Sequence, residues 1–179
     1  LKDLFASYHP EVIRYYLISS HYRSSLNFDN ESLDQARSAL TRLYQAASLV
    51  SLQESDLHDD SVKEFINSMN DDLNTPEALS TLFGLAKLIN SSQDTQDKSM
   101  YASTMRELGK VLGLLNESPE AFFQYGANLT DEEISKKIEE RNQARDAKDF
   151  QKADQIRDEL SAQGILLDDS SDGTTWKKS

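Results

Sequence analysis

Apolar residues recur at helical spacing through most of the first two thirds of the chain. After Pro10, the side chains of Val12, Ile13, Tyr16 and Leu17 fall on one face of a helix, and a proline suits the first turn of such a helix. Similar stripes predict four further helices, over 30–50, 61–72, 76–90 and 100–115. Short polar segments separate them, so the pattern predicts an antiparallel bundle of about five helices.

Beyond residue 130 the pattern indicates a second, smaller unit. Thr130 followed by DEE is typical of a capping box at a helix start, and we expect that helix to break at about 146–149. A further helix begins near Phe150 and stops at Gly164. The segments ILLDD and TTWKK, joined by the turn-forming SSDG, then predict a two-stranded hairpin that packs on the helices, because a bare hairpin is only marginally stable.

Between these units, the stretch NESPEAFFQYGANLTDEE loses helical spacing and contains both a proline and a glycine. We therefore predict a helical bundle over residues 1–116, a linker over 117–130 and a C-terminal module over 131–179. The predicted fold class is mainly α: a bundle of about five antiparallel helices followed by a small α+β module of two helices and a β-hairpin.

The composition supports a helical fold. With 37% hydrophobic residues, six glycines and three prolines, turn-forming residues are too scarce for an all-β protein. No stretch approaches the roughly 20 apolar residues that cross a bilayer, and the first residues lack the apolar core of a secretion signal. We therefore expect a cytoplasmic protein that does not contact a membrane, and the absence of cysteine is compatible with a reducing compartment.

The formal net charge of −12 argues against nucleic-acid binding at first, since phosphate contacts need Lys and Arg. The distribution of charge matters more than its sum. One short stretch is rich in cations: Lys136, Lys137, Arg141, Arg145, Lys148 and Lys152. A local basic face on an acidic molecule is therefore predicted.

Catalytic and metal-binding patterns are not found in the sequence. It contains no phosphate-binding glycine loop, nucleophile elbow or zinc-protease motif. His9, His21 and His58 lie on separate segments without helical pairing, which disfavours a metal site. We therefore predict no catalytic residues, no metal and no cofactor within this stretch of chain.

The C-terminal module contains the best candidate binding residues. Arg145 can contact a phosphate or a base, Phe150 offers a flat surface for an unstacked base, and Asp154 and Asp169 can accept from base amino groups. Candidate contacts to an RNA backbone are Lys148, Lys152, Lys177 and Lys178. On spacing alone, however, alternating charges on a helix are more typical of a solvated face, with the aromatic residues forming the core of the module.

Four strings in the same order along the chain resemble cysteinyl-tRNA synthetases. HPEVIRYYLISSHYRSSLNFDNESLDQARSALTRLY is similar to the stretch that follows the second ATP-binding signature of that family, and NDDLNTPEALSTLF is similar to its DDFNTPEAL segment. LGKVLGLL resembles the end of the family's DALR-type helical bundle, and RNQARDAKDFQKADQIRDELSAQGILLDDSSDGTTWKK its anticodon-binding domain. The strings are distributed along nearly the whole chain, from residue 9 to residue 178.

This resemblance implies a class I aminoacyl-tRNA synthetase that ligates cysteine to tRNA(Cys) with ATP and uses zinc to select cysteine. The catalytic domain of that enzyme would precede this chain as its covalent partner, so we expect the chain to bind tRNA without catalysing by itself. The bundle would contact the inside of the tRNA, and the module would read the GCA anticodon. Arg145, Asp154 and Asp169 match the anticodon-reading positions of the family.

At one position the chain departs from the family pattern. Where the family commonly has AKDW, this sequence has Phe150, which keeps an aromatic face but lacks the indole N–H. Two alternatives stay open: the bundle of a ligase that joins cysteine to an amino sugar, and a non-catalytic module that binds other proteins. The strings AKDF, ADQIRDEL and GTTW favour the synthetase, since the amino-sugar ligase is not expected to keep an anticodon module.

Overall fold

The structure, a computed structural model, describes residues 2–50, 56–126, 129–170 and 173–178. It is mainly helical and ends in an antiparallel hairpin, which confirms the predicted fold class. In chain order the elements are α1 (Lys2–Ser7), α2 (Pro10–Ile18), α3 (Asn30–Ser48), α4 (Asp59–Asn70), α5 (Thr75–Ser91), α6 (Thr95–Val111), α7 (Pro119–Gln124), α8 (Asp131–Asp146), α9 (Phe150–Ala162), β1 (Ile165–Ser170) and β2 (Gly173–Lys178).

Each helix predicted from the sequence is present. Some helices begin or end at other residues than predicted, because capping side chains set their ends. The sixth helix begins earlier than its apolar stripe, because the Asp94 carboxylate accepts hydrogen bonds from the backbone N–H groups of Gln96 and Asp97 at 2.7 and 3.0 Å. It ends before Leu114 and Leu115, which are nevertheless buried. The short helices α1 and α7 were not predicted, since six residues are too few to show a period.

The chain forms two compact units, residues 1–119 and residues 120–179. The division falls inside the stretch for which the sequence predicts a linker, and α7 occupies part of that stretch. Among the described residues, no helix combines the length and the apolar content that crossing a membrane requires.

The core of the first unit comes from the apolar stripes of α2, α3, α5 and α6. These helices bury leucine, isoleucine and methionine side chains, and Val12, Ile13 and Tyr16 of the predicted α2 stripe are buried. The prediction for Leu17 is wrong, because this side chain is 57% exposed. The core residues that are almost completely shielded from solvent include Leu33, Leu40, Leu43, Leu82, Leu85, Ile89 and Met105. Burial of this apolar surface is the main force that holds the unit together.

One buried acid ties the start of the first unit to its end. Glu11, in the first turn of α2, accepts a hydrogen bond from the Tyr44 hydroxyl at 2.8 Å and one from the backbone N–H of Leu115 at 2.8 Å. Its other oxygen accepts from the backbone N–H of Asn116 at 2.9 Å and from the Asn116 amide at 3.2 Å. These donors replace the water that surrounds a carboxylate in solution.

Replacing Glu11 with Ala is expected to destabilise the first unit by about 2 to 4 kcal/mol, because it strands buried donors without a partner. Urea unfolding followed by far-UV circular dichroism measures the change. Glu77→Ala is the matched control, since Glu77 is also an acid in a first helical turn but is exposed. Equal destabilisation in the two variants would show that the hydrogen bonds of Glu11 contribute nothing beyond its charge at a helix start.

The second unit packs α8, α9 and the hairpin around a small apolar cluster. Ile134, Ile156, Leu160 and Ile165 are buried. Leu129, Ile138, Leu167 and Trp176 pack against them. The predicted capping box is confirmed at the start of α8, where Thr130 and Glu133 exchange side-chain and backbone hydrogen bonds.

Candidate nucleic-acid interface

One face of α8 changes from apolar to cationic along its length. Ile134, Ile138, Arg141 and Arg145 follow each other at spacings of three and four residues, so they lie on the same side of the helix. Ile134 and Ile138 face the apolar cluster of the second unit. The next two positions therefore direct arginine side chains toward the hairpin.

The alternation of strand residues brings Asp169 to meet these arginines. Ile165, Leu167 and Asp169 occupy alternate positions of β1 and share one face, and Ile165 and Leu167 pack against the helices. In the antiparallel register Asp169 is opposite Thr174. The strand therefore places a carboxylate at the edge of the apolar cluster.

Asp169 lies at the centre of a hydrogen-bonded group that we call the Asp169 cluster: Arg141, Arg145, Asp169 and Thr174. Arg141 donates from Nη1 to Oδ1 at 2.9 Å and from Nη2 to Oδ2 at 2.6 Å, which is a bidentate contact. Arg145 Nη1 donates to Oδ2 at 3.1 Å, and Thr174 Oγ1 donates to Oδ1 at 2.7 Å. Each carboxylate oxygen thus accepts two hydrogen bonds, which fills its acceptor capacity.

The members of the cluster differ in exposure. The Arg141 side chain is 7% exposed, whereas those of Arg145 and Asp169 are 48% and 41% exposed. Arg141 is therefore the buried support of the group, and Arg145 presents the rest of its guanidinium donors to solvent.

Electrostatics keep both members of the bidentate pair charged. The hydrogen bonds from Arg141, and then that from Thr174, hold the pKa of Asp169 well below its usual range, against the opposing effect of burial. The hydrogen bond to Asp169 raises the pKa of Arg141, and the nearby negative charge of Asp154 raises it further. Asp154 therefore lies within electrostatic range of the cluster.

Asp154 and Phe150 extend this surface along α9. They are four residues apart, so they share a face of the helix. Phe150 is 62% exposed and is not part of the core, which contradicts the ordinary interpretation of an aromatic residue at this position. The Asp154 carboxylate is exposed, borders a groove of about 470 Å³ between α9 and β1, and accepts no hydrogen bond from another described residue.

The candidate lysines are scattered around the second unit. Lys148 is exposed in the turn between the two helices, with a positive φ of 60°. Lys152 lies on the side of α9 away from Phe150 and Asp154, since two residues rotate a helix by about 200°. Lys177 is exposed on the outer face of the hairpin, and Lys178 on the inner face donates from Nζ to the carbonyl oxygen of Gly126.

The structure thus brings Arg145 and Asp169 into direct contact. Asp154 is within electrostatic range of Arg141, and Phe150 lies on the Asp154 side of α9. Arg141 and Thr174 were not among the predicted binding residues. The signal for Arg141 was present, because it continues the stripe of Ile134 and Ile138 and is four residues before Arg145. Among the described residues, no group of three or more His, Cys, Asp or Glu side chains is placed to hold a metal ion.

Replacing Asp169 with Asn is expected to destabilise the second unit by about 1 to 2 kcal/mol at pH 7, a value kept low because the carboxylate is partly exposed. The folded pKa of Asp169 lies below the unfolded one, so the stabilisation is complete above the ordinary carboxyl pKa of about 4 and disappears as the pH falls toward the folded value. The stability difference between wild type and variant should therefore narrow below about pH 4.

Urea unfolding at several pH values, followed by the fluorescence of Trp176, measures this difference, because Trp176 is the single tryptophan and packs on the core of the second unit. Asp168→Asn is the control, since Asp168 lies on the outer face of the same strand and takes part in none of the ion pairs among the described residues. A difference that stays constant down to pH 2 would contradict the expectation.

The amino-acid sequence of the chain is similar to those of cysteine–tRNA ligases. Residues 64–116 match the family model described as DALR domain. The chain is 44% identical to the cysteine–tRNA ligase of Hydrogenovibrio crunogenus, over 99% of this chain and 39% of that protein. It is 43% identical to that of Methylococcus capsulatus and 44% identical to that of Haemophilus influenzae, in each case over 99% of this chain and 40% of the relative.

The chain thus spans about two fifths of the length of the curated relatives that it matches. The match runs through both units, and it includes the strings on which the sequence resemblance was based. The chain therefore matches the C-terminal part of cysteine–tRNA ligases over nearly all of its length, and residues 64–116 match a DALR domain.

Proposed function

We propose that this chain is a tRNA-binding region and that its second unit reads the GCA anticodon of tRNA(Cys). The observation that carries the proposal is the arrangement of charged and aromatic groups in that unit. Arg145 is in contact with Asp169, Asp154 is within electrostatic range of Arg141, and the exposed ring of Phe150 lies one helical turn from Asp154. The names of the relatives support it, since each is a cysteine–tRNA ligase. Ligation of cysteine with ATP would belong to the whole enzyme, with its zinc and catalytic domain outside this chain.

The chemistry of the surface suits unpaired bases. Anticodon bases can be turned outward at the tip of a hairpin, so that their pairing edges meet protein side chains. Asp154 supplies an acceptor for the amino groups of guanine, cytosine or adenine, and Arg145 supplies donors for ring nitrogens, carbonyl oxygens or a phosphate. Phe150 supplies a face on which one base can stack.

Asp154 and Asp169 would take part in base recognition in different ways. Asp154 can accept from a base without breaking any hydrogen bond to a described residue. Asp169 is saturated, so a base amino group could reach it only by replacing an existing donor, and the half-exposed Arg145 is the donor that can leave. Asp154 is therefore the aspartate that binds a base directly, whereas Asp169 acts mainly by positioning Arg145.

Replacing Asp154 with Asn is expected to reduce discrimination between a GCA loop and altered loops by about 1 to 3 kcal/mol for each base that the carboxylate reads. Fluorescence anisotropy with labelled anticodon stem-loop hairpins at two salt concentrations gives the affinities. Affinity of the wild type should fall steeply as salt rises, because phosphate contacts release counterions.

Asp168→Asn is the matched control for Asp154→Asn, because it removes the same charge from the outer face of the hairpin. If Asp154→Asn weakened all loops by the same factor, Asp154 would contribute only charge and not specificity. Salt-independent binding by the wild type would favour an apolar protein-binding module instead.

Replacing Phe150 with Ala is expected to weaken binding of the GCA hairpin by about 1 to 3 kcal/mol without changing the stability of the second unit, because the ring is exposed in the free protein. Phe150→Trp should bind at least as tightly as wild type, since the indole offers a larger face. Anisotropy and thermal unfolding measure the two quantities. Ile66→Ala is the control, because Ile66 is an exposed apolar side chain of the first unit. Equal weakening at both positions would rule out stacking on Phe150.

A further inference from the structure

Arg141 combines a buried position with the most extensive contact in the Asp169 cluster. Its side chain is 7% exposed, yet both of its terminal nitrogens bind Asp169, at 2.9 and 2.6 Å. A side chain this deeply placed cannot be the group that first meets a nucleic acid. Its contacts are instead directed at a residue that can.

The bidentate contact fixes the orientation of the Asp169 carboxylate. Two parallel N–H···O bonds define the plane of a carboxylate, which a single bond does not. Arg145 binds the same oxygen, Oδ2, that accepts from Arg141 Nη2. The direction in which Arg145 finds its acceptor is therefore set by Arg141.

Arg145 is the flexible member of this chain of contacts. It binds Asp169 through one nitrogen, and its side chain is 48% exposed, so its remaining donors point to solvent. Without a fixed acceptor, a long exposed side chain would sample several rotamers and would lose entropy when it bound a base. A fixed Asp169 removes much of that cost in advance.

We propose that Arg141 is a positioning residue that determines specificity: by orienting Asp169 it holds the Arg145 guanidinium in the geometry that selects one base over another. This inference rests on the proposed function and adds to it a residue that does not itself contact the nucleic acid. The negative charge of Asp154 also raises the pKa of Arg141, so Asp154 is within electrostatic range of this member of the Asp169 cluster.

The test compares Arg141→Lys with wild type in the full chain. Lysine keeps the positive charge but cannot make the planar two-nitrogen contact. Binding of stem-loop hairpins with a GCA loop and with single-base alterations gives a ratio of affinities. We expect Arg141→Lys to reduce that ratio at least about fivefold, near the lower end of what one well-oriented arginine contributes to the choice of a base. Affinity for an unrelated hairpin should change much less.

Lys137→Met is the control for the loss of an ion pair from the same helix, and it is the harsher change because it also removes a positive charge. Lys137 Nζ binds Glu159 Oε2 at 2.8 Å and joins α8 to α9 without touching the Asp169 cluster. It should leave the ratio unchanged. Trp176 fluorescence verifies that each variant keeps a folded second unit.

A double variant, Arg141→Lys with Asp169→Asn, separates positioning from a general loss of stability. If Arg141 acts only through Asp169, the double variant should discriminate no worse than Asp169→Asn alone, because the loss of Arg141 then removes nothing further. If the two effects instead multiply, the residues act independently and the proposal is overturned.

The outcomes distinguish this proposal from the one on which it rests. A wild-type chain that does not prefer the GCA hairpin would overturn both. A wild-type chain that prefers it, together with an Arg141→Lys variant that matches wild type or Lys137→Met in its ratio, would overturn the role of Arg141 alone.

Discussion

The contact between Arg141 and Asp169 fixes the hairpin of the second unit against α8. A two-stranded hairpin buries too little surface to be stable by itself, and the apolar cluster beneath it is small. The bidentate pair joins the end of β1 to the middle of α8 across 28 residues of sequence. Arg141 continues the apolar stripe that begins at Ile134, so apolar packing and the ion pair hold the hairpin against the same face of α8. The position of the hairpin in turn fixes the position of Asp169 in the candidate site.

The first unit also buries a charged side chain, but it is an acid, Glu11, whereas the buried charged side chain of the second unit is Arg141. Glu11 is buried, and it is accommodated by backbone N–H groups and neutral side chains with no cationic partner among the described residues. Such a contact depends little on surrounding charge. Asp169, by contrast, is held by two arginines, which concentrates positive charge beside it on a chain whose net charge is −12. Local cations of this kind are what a phosphate-rich partner requires.

Much of the fold could be predicted from the sequence because its local signals agree. Pro10, the capping box at Thr130 and the apolar stripes all specify the same helices, and the strand alternation places Asp169 beside Ile165 and Leu167. The short helices α1 and α7 could not be predicted, since six residues are too few to show a helical period. The candidate site was less predictable for a different reason: whether Asp154 and Asp169 are already occupied depends on residues far away in the chain. The sequence does not distinguish the two aspartates. The three-dimensional contacts do: Asp169 accepts hydrogen bonds from Thr174 and two arginines, whereas the Asp154 carboxylate accepts none from a described residue.

In the base recognition that we propose, Asp154 and Asp169 would select bases in different ways, because only the Asp169 carboxylate already accepts hydrogen bonds from described residues. A free acceptor gains a hydrogen bond from the right base but can also accept from water, so its selectivity is modest unless its neighbours fix the geometry. A carboxylate that already accepts four hydrogen bonds attracts a base only weakly. It nevertheless holds the donor Arg145 in one place, and a base that is wrongly positioned cannot accept a hydrogen bond from that donor. Because an unpaired group costs more than a formed bond contributes, the saturated Asp169 can increase selectivity more through Arg145 than it could by binding a base itself.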